Sequence, residues 1–102
     1  MSTSPTYQLT LHKTYYDHGF FNLGVAVDRF VRQDSGPISI FLGDSQSELL
    51  GKVNREANIN GTPRIMGGVE LRNWFQSQFA LLDSVDVLIL GPDKLWIKKG
   101  KT

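Results

Sequence analysis

The chain has 102 residues, 40% of them apolar and 21% charged, with 10 glycines, 4 prolines and no cysteine. That length can bury one core without a metal or disulfide staple, and the lack of cysteine excludes disulfide frameworks, zinc ribbons and thiol nucleophiles. Eleven Lys and Arg against ten Asp and Glu leave a net charge of +1, so any basic face depends on where the charges sit.

In chain order, residues 1 to 6 are small and polar and read as a flexible lead-in, lacking the basic start and apolar run of a secretory signal. No apolar stretch approaches the roughly 20 residues that cross a bilayer, so no membrane partner is expected. Tyr7, Leu9 and Leu11 alternate with Gln8, Thr10 and His12, the period of a half-buried strand. Residues 13 to 18 are bulky and polar rather than a tight turn, and are expected to protrude as a loop before a return strand, Phe20-Phe21-Asn22-Leu23. Between residues 25 and 33, Val27, Phe30 and Val31 stand at helical spacing, which predicts a helix of about two turns. Asp34-Ser35-Gly36-Pro37 ends it.

Residues 38 to 42 and 48 to 53 read as strands joined by a polar turn. From 54 to 63 almost nothing is apolar enough to bury, which predicts a long exposed loop. Arg64-Ile65-Met66 rejoins the sheet, Gly67-Gly68 breaks it, and residues 69 to 79 form a helix with Leu71, Trp74, Phe75 and Gln78 on one face. Residues 84 to 90 are strand-like, Gly91-Pro92-Asp93-Lys94 is a turn with Pro at its second position, and Leu95-Trp96-Ile97 closes a hairpin. About seven short strands and two short helices make a mainly β (α+β) chain, a small open barrel over residues 7 to 99 with helices capping its ends. Residues 100 to 102 are left as a tail or the start of a linker.

Reactive constellations are scarce. His12 and His18 show no His-x-His or His-Glu-x-x-His spacing, so no metal site is expected. Gly67-Gly68 before a helix has the form of an anion cradle, but a plain helix start uses the same pair. Pro92-Asp93 has the form of a nuclease metal motif, yet no carboxylate follows it and the turn accounts for it. No cofactor and no catalytic residue are assigned, and a recognition domain rather than an enzyme is expected.

Polar, hydrogen-bonding residues concentrate in two segments. Lys13, Thr14, Tyr15, Tyr16, Asp17 and His18 form the first, and Asn54, Arg55, Glu56, Asn58, Asn60, Thr62 and Arg64 the second. Arg forks onto guanine, Asn onto adenine, and Asp or Glu accepts from cytosine in the major groove, while Lys, Thr and Tyr suit phosphates. The plain alternative for each segment is a solvated connection, and for Lys98, Lys99 and Lys101 a solubilising tail. Tyr15-Tyr16 also fits a core role, since adjacency on a strand turns one of them inward.

The strand and polar arm from 9 to 18, then Phe20-Phe21-Asn22-Leu23 and Asp28-Arg29-Phe30-Val31, precede Arg64-Ile65-Met66-Gly67-Gly68-Val69-Glu70-Leu71-Arg72-Asn73-Trp74-Phe75 and Leu82-Asp83-Ser84-Val85-Asp86-Val87-Leu88-Ile89. Over nearly the whole chain this order resembles the plant B-three DNA-binding domains and, more closely, the effector or target-recognition domains of bacterial restriction endonucleases. The likeness includes their Gly-containing break, aromatic helix and Leu-x-x-Gly-Asp-x-Val-x-Phe ending. The chain departs from them at Val85, where that ending has Gly, and at Gly24, where a Pro often follows the second strand.

The resemblance implies an open seven-stranded DNA-binding pseudobarrel whose two arms, here residues 13 to 18 and 54 to 64, enter the major groove of double-stranded DNA. It implies a cytoplasmic, bacterial setting and a fused or associated nuclease domain. On this reading Arg55, Asn58, Asn60, Arg64, Asp17 and His18 contact bases, and Lys13, Arg32, Lys52 and Lys98 contact phosphates. The competing function is a small barrel that binds a protein or carbohydrate, with Tyr15, Tyr16 and His18 stacking on the ligand.

Overall fold

Strands form where apolar residues alternate, and the computed structural model, which describes residues 5–100, has β1 (Thr6–Thr10), α1 (Lys13–His18), β2 (Phe20–Asn22), a 3-10 turn (Asp28–Phe30), β3 (Gly36–Leu42), β4 (Ser47–Asn54), β5 (Arg64–Met66), α2 (Gly68–Gln78), β6 (Ser84–Gly91) and β7 (Lys94–Lys99). The expected lead-in at residues 1–4 and the tail at 101–102, Lys101 included, lie outside the described residues. Thr6 already pairs with Leu88, so the sheet starts within the expected lead-in. No helix among the described residues is long and apolar enough to cross a membrane.

The seven strands join one curled sheet, a half-barrel, in the order β1-β6-β7-β3-β4-β5-β2. Neighbours run antiparallel except β3 and β7, whose parallel register sets Ile40 beside Leu95. Inward positions alternate along each strand: Ile38, Ile40, Val53, Ile65, Val85, Val87, Leu95 and Ile97 are each at most 1% exposed. Burying each such side chain stabilises the fold by about 1.5–3 kcal/mol before chain entropy is charged against it. β1 and β2 are the sheet edges. Tyr7 lies against the backbone of Gly24, where a Cβ would come 2.9 Å from its ring. A larger residue there would push Tyr7 aside.

α2 covers the inner layer with Leu71, Phe75 and, just past its end, Phe79. The Phe75 ring meets Phe21 edge-on at 6.5 Å and Phe79 at 6.4 Å. The apolar stripe therefore steps by four residues, and Gln78, expected on it, is exposed instead.

Two local expectations fail. Residues 13 to 18 are not a loop but the helix α1, ended by Gly19 in the left-handed region (φ 73°) with its N–H on the Tyr15 carbonyl. α1 lies on α2: the Gly19 carbonyl accepts from Gly67 N (2.9 Å) and Gly68 N (3.1 Å), and the Tyr16 hydroxyl donates to the Phe79 carbonyl at 3.1 Å. Gly67-Gly68 thus spends its N–H groups on a carbonyl rather than on an anion. The two-turn helix expected over 25 to 33 shrinks to a turn and one 3-10 turn. Val25, Val27 and Val31 are β-branched, which disfavours helix, and the Asp28, Val31 and Arg32 carbonyls accept from the Arg55 side chain.

Candidate nucleic-acid interface

On β2, β5 and β4 the residues flanking the buried Phe21, Ile65 and Val53 point outward. Register gathers them in two rows across the three strands, Phe20, Met66 and Lys52 in one and Asn22, Arg64 and Asn54 in the next. α1 borders this face at one side, and the loop 55–63, which joins β4 to β5, borders it at the other.

Asn22 is where the two borders meet. Its Nδ2 donates to the Tyr15 hydroxyl on α1 (3.2 Å), and its Oδ1 accepts from Asn58 Nδ2 in the loop (2.9 Å) and from Arg64 Nε on β5 (3.2 Å). Arg64 Nη2 reaches Asn58 Oδ1 at 3.5 Å, and the guanidinium lies 4.5 Å over the Phe20 ring. Phe20 is edge-on to Tyr15 at 5.6 Å and stacked with His18 at 6.5 Å, and His12 packs edge-on to Tyr15 at 5.9 Å. Beside this network the loop opens a recess of about 620 Å³ lined by Asn22, Ala57, Asn58, Ile59, Asn60 and Thr62.

Half-buried Arg64 has no carboxylate partner among the described residues, whose ion pairs are Lys13–Asp17, Arg32–Asp34 and Arg55–Asp28. Its Nη1 also makes no hydrogen bond among the described residues. A planar fork, oriented by amides and an aromatic ring and not neutralised, suits two-pronged recognition of an acceptor pair. Neither Phe20 nor Asn22 is singled out by residue type in the sequence. Strand alternation about Phe21 is the signal that places both on this face.

The remaining expected site residues divide. Asn58, Arg64, Tyr15 and His18 come together, with Lys52 and Asn54 in the adjoining column on β4. Asn54 Oδ1 accepts from Glu56 N, and Asn60 Oδ1 accepts from both Thr62 N and Thr62 Oγ1, so these amides brace the loop. Thr62 is buried, while Glu56 and Thr14 are exposed. Asp17 is paired with Lys13 along α1, and Tyr16 is turned to Phe79, away from the face.

Arg55 is no base reader in this arrangement. Its side chain is 10% exposed, and its N–H groups reach Asp28 Oδ1 and the carbonyls of Asp28, Val31, Arg32 and Gly61. Arg32 and Lys98 lie off the face. Arg32 holds both oxygens of Asp34 and the Pro37 carbonyl. The hydrogen bond with Asp34 raises the Arg32 guanidinium above its ordinary value and lowers the Asp34 carboxyl below its own. Lys98 sits on β7 with its ammonium 4.5 Å over the Trp96 ring, and β3 separates β7 from β4.

No three His, Asp or Glu side chains group as a metal cluster among the described residues. No model of a known protein family matches the chain, and no curated protein matches it.

Proposed function

We propose that the chain recognises double-stranded DNA by sequence, with the β2–β5–β4 face set against the major groove between α1 and the loop 55–63, as the recognition part of a bacterial restriction endonuclease whose cutting chemistry lies in another domain. The observation that carries this reading is the convergence of two chemically chosen segments on Asn22, beside an unneutralised Arg64. Recognition needs such donors held before the ligand arrives, because ordering side chains on binding costs about 0.5–1.5 kcal/mol each.

Arg64 takes a guanine edge and His18 a neighbouring base, while Asn58, whose amide is spent on Asn22, Thr62 and Arg64, positions the fork, and Lys52 and Lys13 contact phosphates. The arms of this reading are a short helix and a braced loop rather than two extended fingers, and the sheet between them is part of the contact. The resemblance to pseudobarrel recognition domains assigns the same two segments to DNA.

Selection from a random duplex library tests the proposal. A shared short motif is expected, bound with an affinity that falls as salt rises, at a logarithmic slope of about −2 to −4 for a few neutralised phosphates. Lack of enrichment would refute it. The competing reading, a protein- or carbohydrate-binding barrel, keeps the Tyr15 and His18 rings, which pack against Phe20, but loses Tyr16, whose hydroxyl is engaged by Phe79. Binding to a neutral ligand by stacking would barely respond to salt.

A further inference from the structure

Ile59 is the most exposed large apolar side chain among the described residues, at 109% of its reference area. Single exposed apolar residues are common on protein surfaces, so exposure alone carries no argument. The position of Ile59 does. It is the second residue of a turn closed by Gly61 N on the Asn58 carbonyl at 3.0 Å, a position where Pro is favoured.

The turn is braced at both ends. Asn58 Nδ2 holds Asn22 Oδ1 (2.9 Å) and the Thr62 carbonyl (3.1 Å), and the Gly61 carbonyl accepts from Arg55 Nη1 at 3.1 Å. The scaffold therefore fixes a stiff β-branched side chain outward, at the rim of the recess shared with Asn22 and Asn58. In the unbound chain nothing offsets that exposure. A ligand with an apolar group at the matching height would.

We propose that Ile59 reads the C5-methyl group of a pyrimidine in the major groove, an inference that rests on the duplex-recognition reading above. A turn whose ends lie within about 7 Å of each other fits, with its side chains, a groove about 12 Å wide and not one about 6 Å wide. Among the base edges of the wide groove the apolar group is that methyl, carried by thymine and equally by 5-methylcytosine. Arg64 reads a polar edge beside it, so this face distinguishes methylated from unmethylated pyrimidines at one step of the site.

The test uses the full chain and the duplex it selects, with each thymine replaced singly by deoxyuridine and each cytosine singly by 5-methylcytosine. One replacement is expected to change wild-type affinity about three- to fivefold, the worth of one buried methyl group. A deoxyuridine loss identifies thymine as the methyl donor, and a gain with 5-methylcytosine identifies the modified base. Ile59→Ala is expected to bind the same motif while ignoring that replacement, with an unchanged unfolding midpoint. Motif-specific binding that no replacement alters, or that responds equally in Ile59→Ala, would overturn the role of Ile59 and leave duplex recognition standing. Failure to select any duplex would overturn both.

Discussion

Arg55 Nη1 donates to Asp28 Oδ1 across 27 positions of sequence, and this ion pair ties the β4–β5 loop to the 3-10 turn. The other Arg55 donors are met by backbone carbonyls, three of them in the segment where the expected helix fails to form. A residue of the type that reads bases is thus consumed in holding the loop that presents Asn58 and Ile59.

Removing one partner of a largely buried pair leaves a charge and several carbonyls unsatisfied. Arg55→Leu is expected to lower stability by about 3 kcal/mol, measured by urea unfolding. Arg55→Lys should recover only part of that loss, because a single ammonium cannot match a planar fork. An Arg55→Leu variant of wild-type stability would show that the pair is incidental.

Arg64→Ala should act on specificity before stability. Its hydrogen bonds go to exchangeable amides, so the fold should lose about 1 kcal/mol. Discrimination at one base pair should fall by about 1–3 kcal/mol. Competitive gel shift with single-base variants of the selected duplex measures this, and an unchanged ranking would count against Arg64 as a reader.

The junction of α1 and α2 has no room at Gly19, where a Cβ would stand 2.1 Å from the Gly68 carbonyl oxygen at a φ of +73°. Gly19→Ala should cost more than about 2 kcal/mol, backbone strain and overlap together. Gly61 has a similar φ of +76° with nothing within 4 Å of its would-be Cβ. Gly61→Ala should therefore cost only the strain, about 1 kcal/mol. Equal melting points for the two variants would refute the steric account.

The Asp34 carboxyl, held below its ordinary value by Arg32, stabilises the fold above pH 3.8 and loses that contribution as pH falls through its lowered folded value. The raised Arg32 contributes throughout and loses its share only in strong alkali. Asp34→Asn should lower stability slightly across the neutral region and converge with the wild type in strong acid, so that the acid limb is flatter. A difference that persists unchanged into strong acid, read by thermal unfolding in matched buffers, would contradict this assignment.

Alternation at Tyr7, Leu9 and Leu11, with short apolar runs bounded by turn signals elsewhere, places all seven strands to within about two residues. α1 was hidden because a six-residue helix has no apolar stripe, although His18-Gly19 carried the stop signal of a left-handed cap. The failed helix at 25 to 33 shows the reverse, a periodic pattern overridden by a distant guanidinium. At the candidate site, residue type singles out Asn58, Arg64 and Arg55 alike, since only the fold decides which Arg meets a carboxylate. Asn22 and Phe20 gain their meaning solely from register.

β1 hydrogen-bonds along β6, and β3 takes its second neighbour from β7. Both early strands are thus completed by the β6–β7 hairpin, so a ribosome must deliver the chain through that hairpin before either is satisfied. Such late closure places refolding on the millisecond-to-second scale rather than the microsecond scale, and it means that clipping the chain before Ser84 removes the barrel as a whole rather than trimming it.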